Sequence, residues 1–166
     1  IEMGANLDIT NERMEGGEPV GDINARSSKL NGIEVPAKRA ASMIDEYPIL
    51  SVAASCAQGR TYMPGIAELR VKETDRIAEM ARGLKACGVS VDEQPDSLTV
   101  DGQKQITGGA TIASQHDHRI AMSFLVLGMV SQQTVSVIDT ETIATSFPQF
   151  ASLMNGAGAN ICAPKV

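Results

Sequence analysis

One sequence pattern recurs three times in this chain. MGANLDIT (3–10), ACGVSVDE (86–93) and GAGANICA (156–163) each read as a helix end, a glycine stop and a following strand. A second similarity overlays it. DEYPILSVAASCAQGRTYMPG begins at Asp45 and DHRIAMSFLVLGMVSQQTVSVID at Asp117. Each has an aspartate, an apolar helix of small residues, a polar break and a β-rich run. A further helix is expected after each, over 74–87 and 146–155. The unit is therefore strand, helix, strand, helix, strand, strand (βαβαββ), with a period of about 70 residues, and such a period dictates a repeat architecture.

Helices over 48–58 and 119–130 are apolar on most faces, which predicts that they lie inside. SLTVDG, TVSVID and ANLDIT alternate apolar and polar residues, as strands with one wet face do. The expected fold class is α/β, of the α+β kind, with helices inside, sheets outside and pseudo-threefold repetition. Residues 1–40 read as the end of a first unit, 41–104 as a second and 105–166 as a third, all in one partial domain. ERMEGGEPVGD (12–22) reads as a hairpin loop. The chain opens on what resembles the last turn of a helix, so a missing N-terminal part is expected.

Composition narrows the function. The net charge of −6 argues against a general nucleic-acid surface. The longest apolar run, IAMSFLVLGMV, is shorter than the roughly 20 residues a membrane-spanning helix needs. With 3% aromatic residues and no Trp, the core must be built from Ala, Val, Ile, Leu and Met. Cys56, Cys87 and Cys162 are far apart and lack metal-ligand spacing. The expectation is reduced thiols, a cytoplasmic location and no structural zinc site.

Three stretches carry candidate chemistry. In KETDR, the spacing of Ile77, Met80, Ala81 and Leu84 predicts a helix from about Thr74 to Cys87. Thr74 as N-cap, Asp75 in the first turn and Gly88 past the end would be ordinary helix punctuation. That reading leaves Arg76 unexplained, because a cation at a helix N-terminus opposes the dipole unless it faces an anion. HDHRIAM repeats the situation, with Asp117 as an N-cap and His118 and Arg119 at the helix start; a polar loop is the plainer reading, and His116 has no stronger claim. In MIDEYP, Asp45 is the positional counterpart of Asp117, with the N-cap again the plain alternative, and Glu46 reads as a solvated acid. If the repeat aims these helix starts at one end, Asp45, Lys72, Glu73, Arg76, His118 and Arg119 form one cluster. Carboxylates there would move protons and cations would hold a phosphate and a carboxylate.

ELRVKETDRIAEMARGLKACG, DHRIAMSFLVLGM and IATSFPQF together resemble the C-terminal domain of the 3-phosphoshikimate 1-carboxyvinyltransferase (EPSP synthase) family, in order and over nearly the whole chain. SSKLNGIEVP and SMIDEYPILSVAAS resemble the bacterial class that includes glyphosate-tolerant forms. The resemblance implies half of a two-domain inverse barrel, each domain holding three βαβαββ units, with the site in the cleft between domains. It implies transfer of the enolpyruvyl group of phosphoenolpyruvate to the 5-hydroxyl of shikimate 3-phosphate, in the shikimate pathway, by a monomer without cofactors. It also implies roles. Asp45 contacts the shikimate hydroxyls and is a candidate base. Lys72 stands near the reacting hydroxyl, and Glu73 is the acid/base for the methylene carbon. Arg76 and Arg119 hold phosphoenolpyruvate, with His118 beside them. Two positions depart from many relatives: Thr145 stands where a lysine is frequent, and Glu68 where some carry an asparagine. The missing N-terminal domain would be the partner, and this chain alone is expected to be inactive. Two other readings remain: a UDP-N-acetylglucosamine enolpyruvyl transferase, against which the intact KETDR argues, and a non-catalytic binding module whose charges are a solvated rim.

Overall fold

The computed structural model describes residues 1–163. Its centre is a helical layer. Helix α2 (Tyr47–Ser55) packs on α3 (Arg76–Ala86) and α4 (His118–Gly128), and these two touch each other. A preceding short helix, α1 (Ala40–Met43), leads through a 3₁₀ turn at Ile44–Glu46 into α2. In α2, Tyr47, Pro48, Ser51, Val52, Ala54 and Ser55 are all buried, as its small apolar sequence requires. Pro48 sits in the first turn, where its missing N–H breaks no helical bond. In α3, the buried stripe is Ile77, Met80, Ala81 and Leu84, the positions the spacing predicts.

Outside the helices lies a three-stranded sheet, β3 (Gly59–Pro64), β5 (Ser97–Gly102) and β4 (Ser90–Gln94), antiparallel in the order β3-β5-β4. Thr61 faces Val100 and Val100 faces Val91 on the helix side, while Arg60, Asp101 and Ser90 bond on the wet side. A fourth, parallel row is reduced to two bridges, Asn31 with Gln58 and Glu34 with Tyr62. Its hydrogen bonds run from Gln58 N to Leu30 O through Val35 N to Tyr62 O. Gly32 permits this approach, because a Cβ there would lie 2.7 Å from Arg60 N and closer to its carbonyl. Residues 30–102 thus trace strand, α2, β3, α3, β4, β5, one complete βαβαββ order.

The next segment follows the same course with broken strands. β6 (Ile106–Gly108) is parallel to β8 (Ser131–Gln133), and β7 (Thr111–Ala113) is parallel to β9 (Ser136–Ile138), across α4. Helices α5 (Glu141–Ser146) and α6 (Phe150–Gly156) follow. The helix expected over 146–155 is α6, which begins only after Pro148, a residue that cannot donate to a continuing helix; α5 is a separate helix before it. No strand follows Gly158 among the described residues. Instead Asn155 closes the loop, its amide donating to Ile161 O and its carbonyl accepting from Ile161 N. Residues 164–166 of the expected third unit lie outside the described residues.

At the other end, β1 (Asn6–Glu15) and β2 (Glu18–Arg26) form one long hairpin. The expected loop over 12–22 is therefore mostly strand, and only Gly16-Gly17, both at positive φ, makes the turn. Ile9 and Ile23 face each other across it, 51% and 69% exposed. Gly4, Gly88 and Gly158 all adopt positive φ at the three glycine stops. Among the described residues, no helix is long and apolar enough to cross a membrane.

Candidate active site

Three chain segments bring their polar ends together: the Ile44–Glu46 turn and the N-termini of α3 and α4. At the junction is Arg76, whose side chain is 1% exposed. Its Nη1 donates to Asp45 Oδ1 at 2.8 Å, its Nη2 to Glu73 Oε2 at 2.7 Å, and its Nε to Asp117 Oδ2 at 2.8 Å. Three carboxylates from three segments therefore share one guanidinium. Burial opposes the charge on Arg76, but the hydrogen bonds and charge of Asp117, with Glu73 and Asp45, raise its pKa and keep it charged.

The carboxylates differ in exposure. Asp45 and Glu73 are 43% and 53% exposed and form the rim, whereas Asp117 is wholly buried. Arg119, partly buried, donates from Nη1 to Asp45 O at 3.0 Å and to Glu46 Oε1 at 3.2 Å, and its Nη2 lies 3.5 Å from Asp45 Oδ2. Asp45 thus ties both arginines together, and Glu46 is a partner of Arg119 as well as a solvated acid. Lys72 Nζ donates to Glu68 Oε1 at 2.7 Å.

The caps differ in part from the sequence expectation. Asp75, not Thr74, caps α3, accepting from Ala78 N at 3.0 Å. Thr74 is recruited elsewhere, its hydroxyl donating to Asp117 Oδ2 at 3.1 Å. Asp117 does cap α4, accepting from Arg119 N and Ile120 N. Asp45 caps nothing: α2 follows a 3₁₀ turn without a side-chain cap, which frees the carboxylate for Arg76.

Of the six residues singled out, Asp45, Glu73, Arg76 and Arg119 form one bonded group. Lys72 adjoins Glu73 in the chain but pairs with Glu68. His118, partly buried between Asp117 and Arg119, makes no hydrogen bond or ion pair among the described residues. Thr145 is exposed in α5 and its hydroxyl donates within its own helix, to Thr142 O. Sequence reasoning treated Asp117 as a cap and missed its bond to Arg76. The available signal was the shared aspartate of the two repeat copies, one of which, Asp45, also reaches Arg76.

Residues 2–154 match the EPSP synthase (3-phosphoshikimate 1-carboxyvinyltransferase) family. The chain belongs to the EPSP synthase family. It is 60% identical over 163 residues to the 3-phosphoshikimate 1-carboxyvinyltransferase of Cereibacter sphaeroides, covering 98% of this chain and 37% of that protein. It is 59% identical to that of Paramagnetospirillum magneticum, covering 97% and 36%. The chain therefore spans little more than a third of the length of these relatives. The structure superposes on EPSP synthase from Acinetobacter baumannii with a TM-score of 0.94 at 44% identity, over 99% of this chain and 38% of that one. It also resembles the enolpyruvyl transferase NikO from Streptomyces tendae, with a TM-score of 0.66 at 18% identity over 96% and 35%, a likeness of fold alone. Repeated strand–helix units with the helices inside are thus the fold of this EPSP synthase segment.

Proposed function

We propose that this chain is the greater part of the C-terminal domain of an EPSP synthase and supplies one wall of its active site. The complete enzyme transfers the enolpyruvyl group of phosphoenolpyruvate to the 5-hydroxyl of shikimate 3-phosphate and releases phosphate. The observation that carries this reading is the Arg76–Asp45–Arg119 group, in which a rim carboxylate bridges two cations at adjoining helix starts. A bound anion needs such fixed cations, and helix N-termini favour the same charge.

The reaction asks for proton carriers beside those cations. The acceptor hydroxyl loses its proton as its oxygen bonds C2 of phosphoenolpyruvate, and the methylene carbon gains one. Loss of that proton then expels phosphate. Asp45 and Lys72 are assigned to the hydroxyl proton. Glu73 is assigned to the methylene carbon, because its carboxylate is exposed yet held beside Arg76. Arg76 and Arg119 take the carboxylate and phosphate of phosphoenolpyruvate, exchanging their rim partners Glu73, Asp45 and Glu46 for substrate oxygens. His118 is assigned to the same pocket. The N-terminal domain is the needed partner, the complete enzyme is a monomer needing no cofactor, and it acts in the cytoplasm, a reading supported by the free thiols of Cys56, Cys87 and Cys162.

Phosphate release by the complete enzyme tests this, with phosphoenolpyruvate and either shikimate 3-phosphate or UDP-N-acetylglucosamine, beside Glu73→Gln. Release with the shikimate ester, strongly reduced in the variant, is expected; the present chain alone should release none. Release only with the sugar nucleotide, or with neither acceptor from a folded protein, refutes the assignment.

A further inference from the structure

Asp117 has more partners than a helix cap needs. It accepts from the backbone N–H groups of Arg119 at 2.9 Å and Ile120 at 3.3 Å, from the Thr74 hydroxyl at 3.1 Å and from Arg76 Nε at 2.8 Å. Its Oδ1 also lies 3.4 Å from Arg76 Nη2. These donors come from the starts of both α3 and α4, and Asp117 is entirely buried among them. The chain reaches Asp117 through Gln115 and His116, two consecutive non-glycine residues at φ of 54° and 59°. Side chains disfavour that left-handed backbone, so the surrounding structure must hold it in place.

The difference in exposure divides the guanidinium into two working edges. Asp45 and Glu73 hold the terminal nitrogens from the rim and can swing into water. Asp117 cannot, because four donors fix its oxygens and no solvent reaches it. An anion arriving from solvent therefore competes for Nη1 and Nη2, while Nε stays bound.

We propose that Asp117 is a positioning residue: it holds Arg76 by Nε and, through the N–H groups at the start of α4, fixes that guanidinium relative to Arg119. It touches no reacting atom and acts through the two arginines. The neighbouring charges are Asp45, Glu73 and Arg119, and none of them replaces its bond to Nε. Burial alone would raise the Asp117 carboxyl, but Arg76 and the N–H groups of Ile120 and Arg119 hold it below the ordinary aspartate range. It is thus an anion throughout the neutral range.

The kinetic test rests on the function proposed above and uses the complete enzyme with Asp117→Asn, an isosteric change that keeps a carbonyl for the cap and removes the charge. Displacing a catalytic cation by about 1 Å costs on the order of 100-fold in rate, so kcat should fall by about 10- to 100-fold. KM for phosphoenolpyruvate should stay level or fall, since one competing negative charge has gone. The pH dependence of kcat should keep its shape. Thr74→Val should lower kcat by a smaller factor and add nothing in the Asp117→Asn background. A folded Asp117→Asn enzyme with unchanged kcat would overturn the proposal, as would a rise in KM that accounts for the whole loss. A second readout is independent of turnover: the ¹⁵N-resolved Hε of Arg76 should exchange slowly with solvent in the native protein and quickly in Asp117→Asn. An Hε protected equally in both overturns the geometry. Should the native enzyme turn over neither acceptor, the functional assignment fails while the Hε measurement still decides this one.

Discussion

Gly83→Ala probes the contact that sets the spacing of α3 and α4. Gly83 lies about two turns beyond Arg76 on α3, and on α4 the fully buried Phe124 ring covers it. A Cβ at 83 would stand 2.7 Å from Cε1 and Cε2 and closer still to Cζ. Carbon atoms prefer about 3.5–4.0 Å, so the ring or the helix must retreat by about 1.5 Å. Overpacking costs roughly 1–3 kcal/mol in a filled core, and a clash this deep belongs at the upper end, about 2–3 kcal/mol. Alanine returns about 0.8–1.0 kcal/mol of helix propensity, leaving a net loss of about 1–2 kcal/mol. In a protein or domain of 150–250 residues that lowers Tm by about 2–8 °C. Calorimetry of the complete enzyme measures it, and Phe124→Leu supplies the control. With the ring gone, Gly83→Ala should become neutral or mildly stabilising, giving a coupling of about 1–3 kcal/mol between the two sites. A single Gly83→Ala variant as stable as the native protein would refute the claim that this glycine sets the helix spacing. Because the same two helices present Arg76 and Asp117, kcat should fall with Tm in the single variant.

Further predictions follow from the buried ion pair and the thiols. Arg76→Met leaves Asp117 buried without its cation and should cost about 3–5 kcal/mol in urea denaturation, part of which Asp117→Asn in the same chain should recover. The depressed Asp117 pKa adds stability that is complete above the unfolded aspartate value of about 4 and lost as pH falls through the lower folded value. A Tm-against-pH curve should therefore drop below about pH 4, and the Asp117→Asn curve should be flatter there. Cys56 and Cys162 are exposed and should react with a maleimide in the native state, whereas Cys87, buried and with its thiol pushed up by burial, should react only on unfolding. Rapid native labelling of Cys87 would contradict its place in the core.

The sequence carries the fold wherever local rules and burial agree. The stripe Ile77, Met80, Ala81, Leu84, the cap at Asp117 and the glycine stops all follow from periodicity and backbone conformation, and the structure repeats them. It misleads where a distant residue decides between two equal local choices. Thr74 and Asp75 both suit an N-cap, and only the hydroxyl bond to Asp117, remote in sequence, assigns the cap to Asp75. The strand expected after Gly158 gives way to Asn155, whose side chain satisfies the Ile161 backbone that a strand partner would have served. Arg76 was legible as a cation in need of an anion. That its anions include three of the protein's own carboxylates, one wholly buried, depends on how the helix starts meet, which periodicity does not record.

The bond between Arg76 and Asp117 joins one strand–helix unit to the next. Neither unit contains the whole arginine–carboxylate cluster, which exists only while the two are docked. Fraying of the second copy, with its short broken strands, would dismantle the arginine cluster even with the first copy intact. The cluster therefore reports cooperativity: its loss during unfolding should coincide with separation of the copies, before the β3-β5-β4 sheet itself melts.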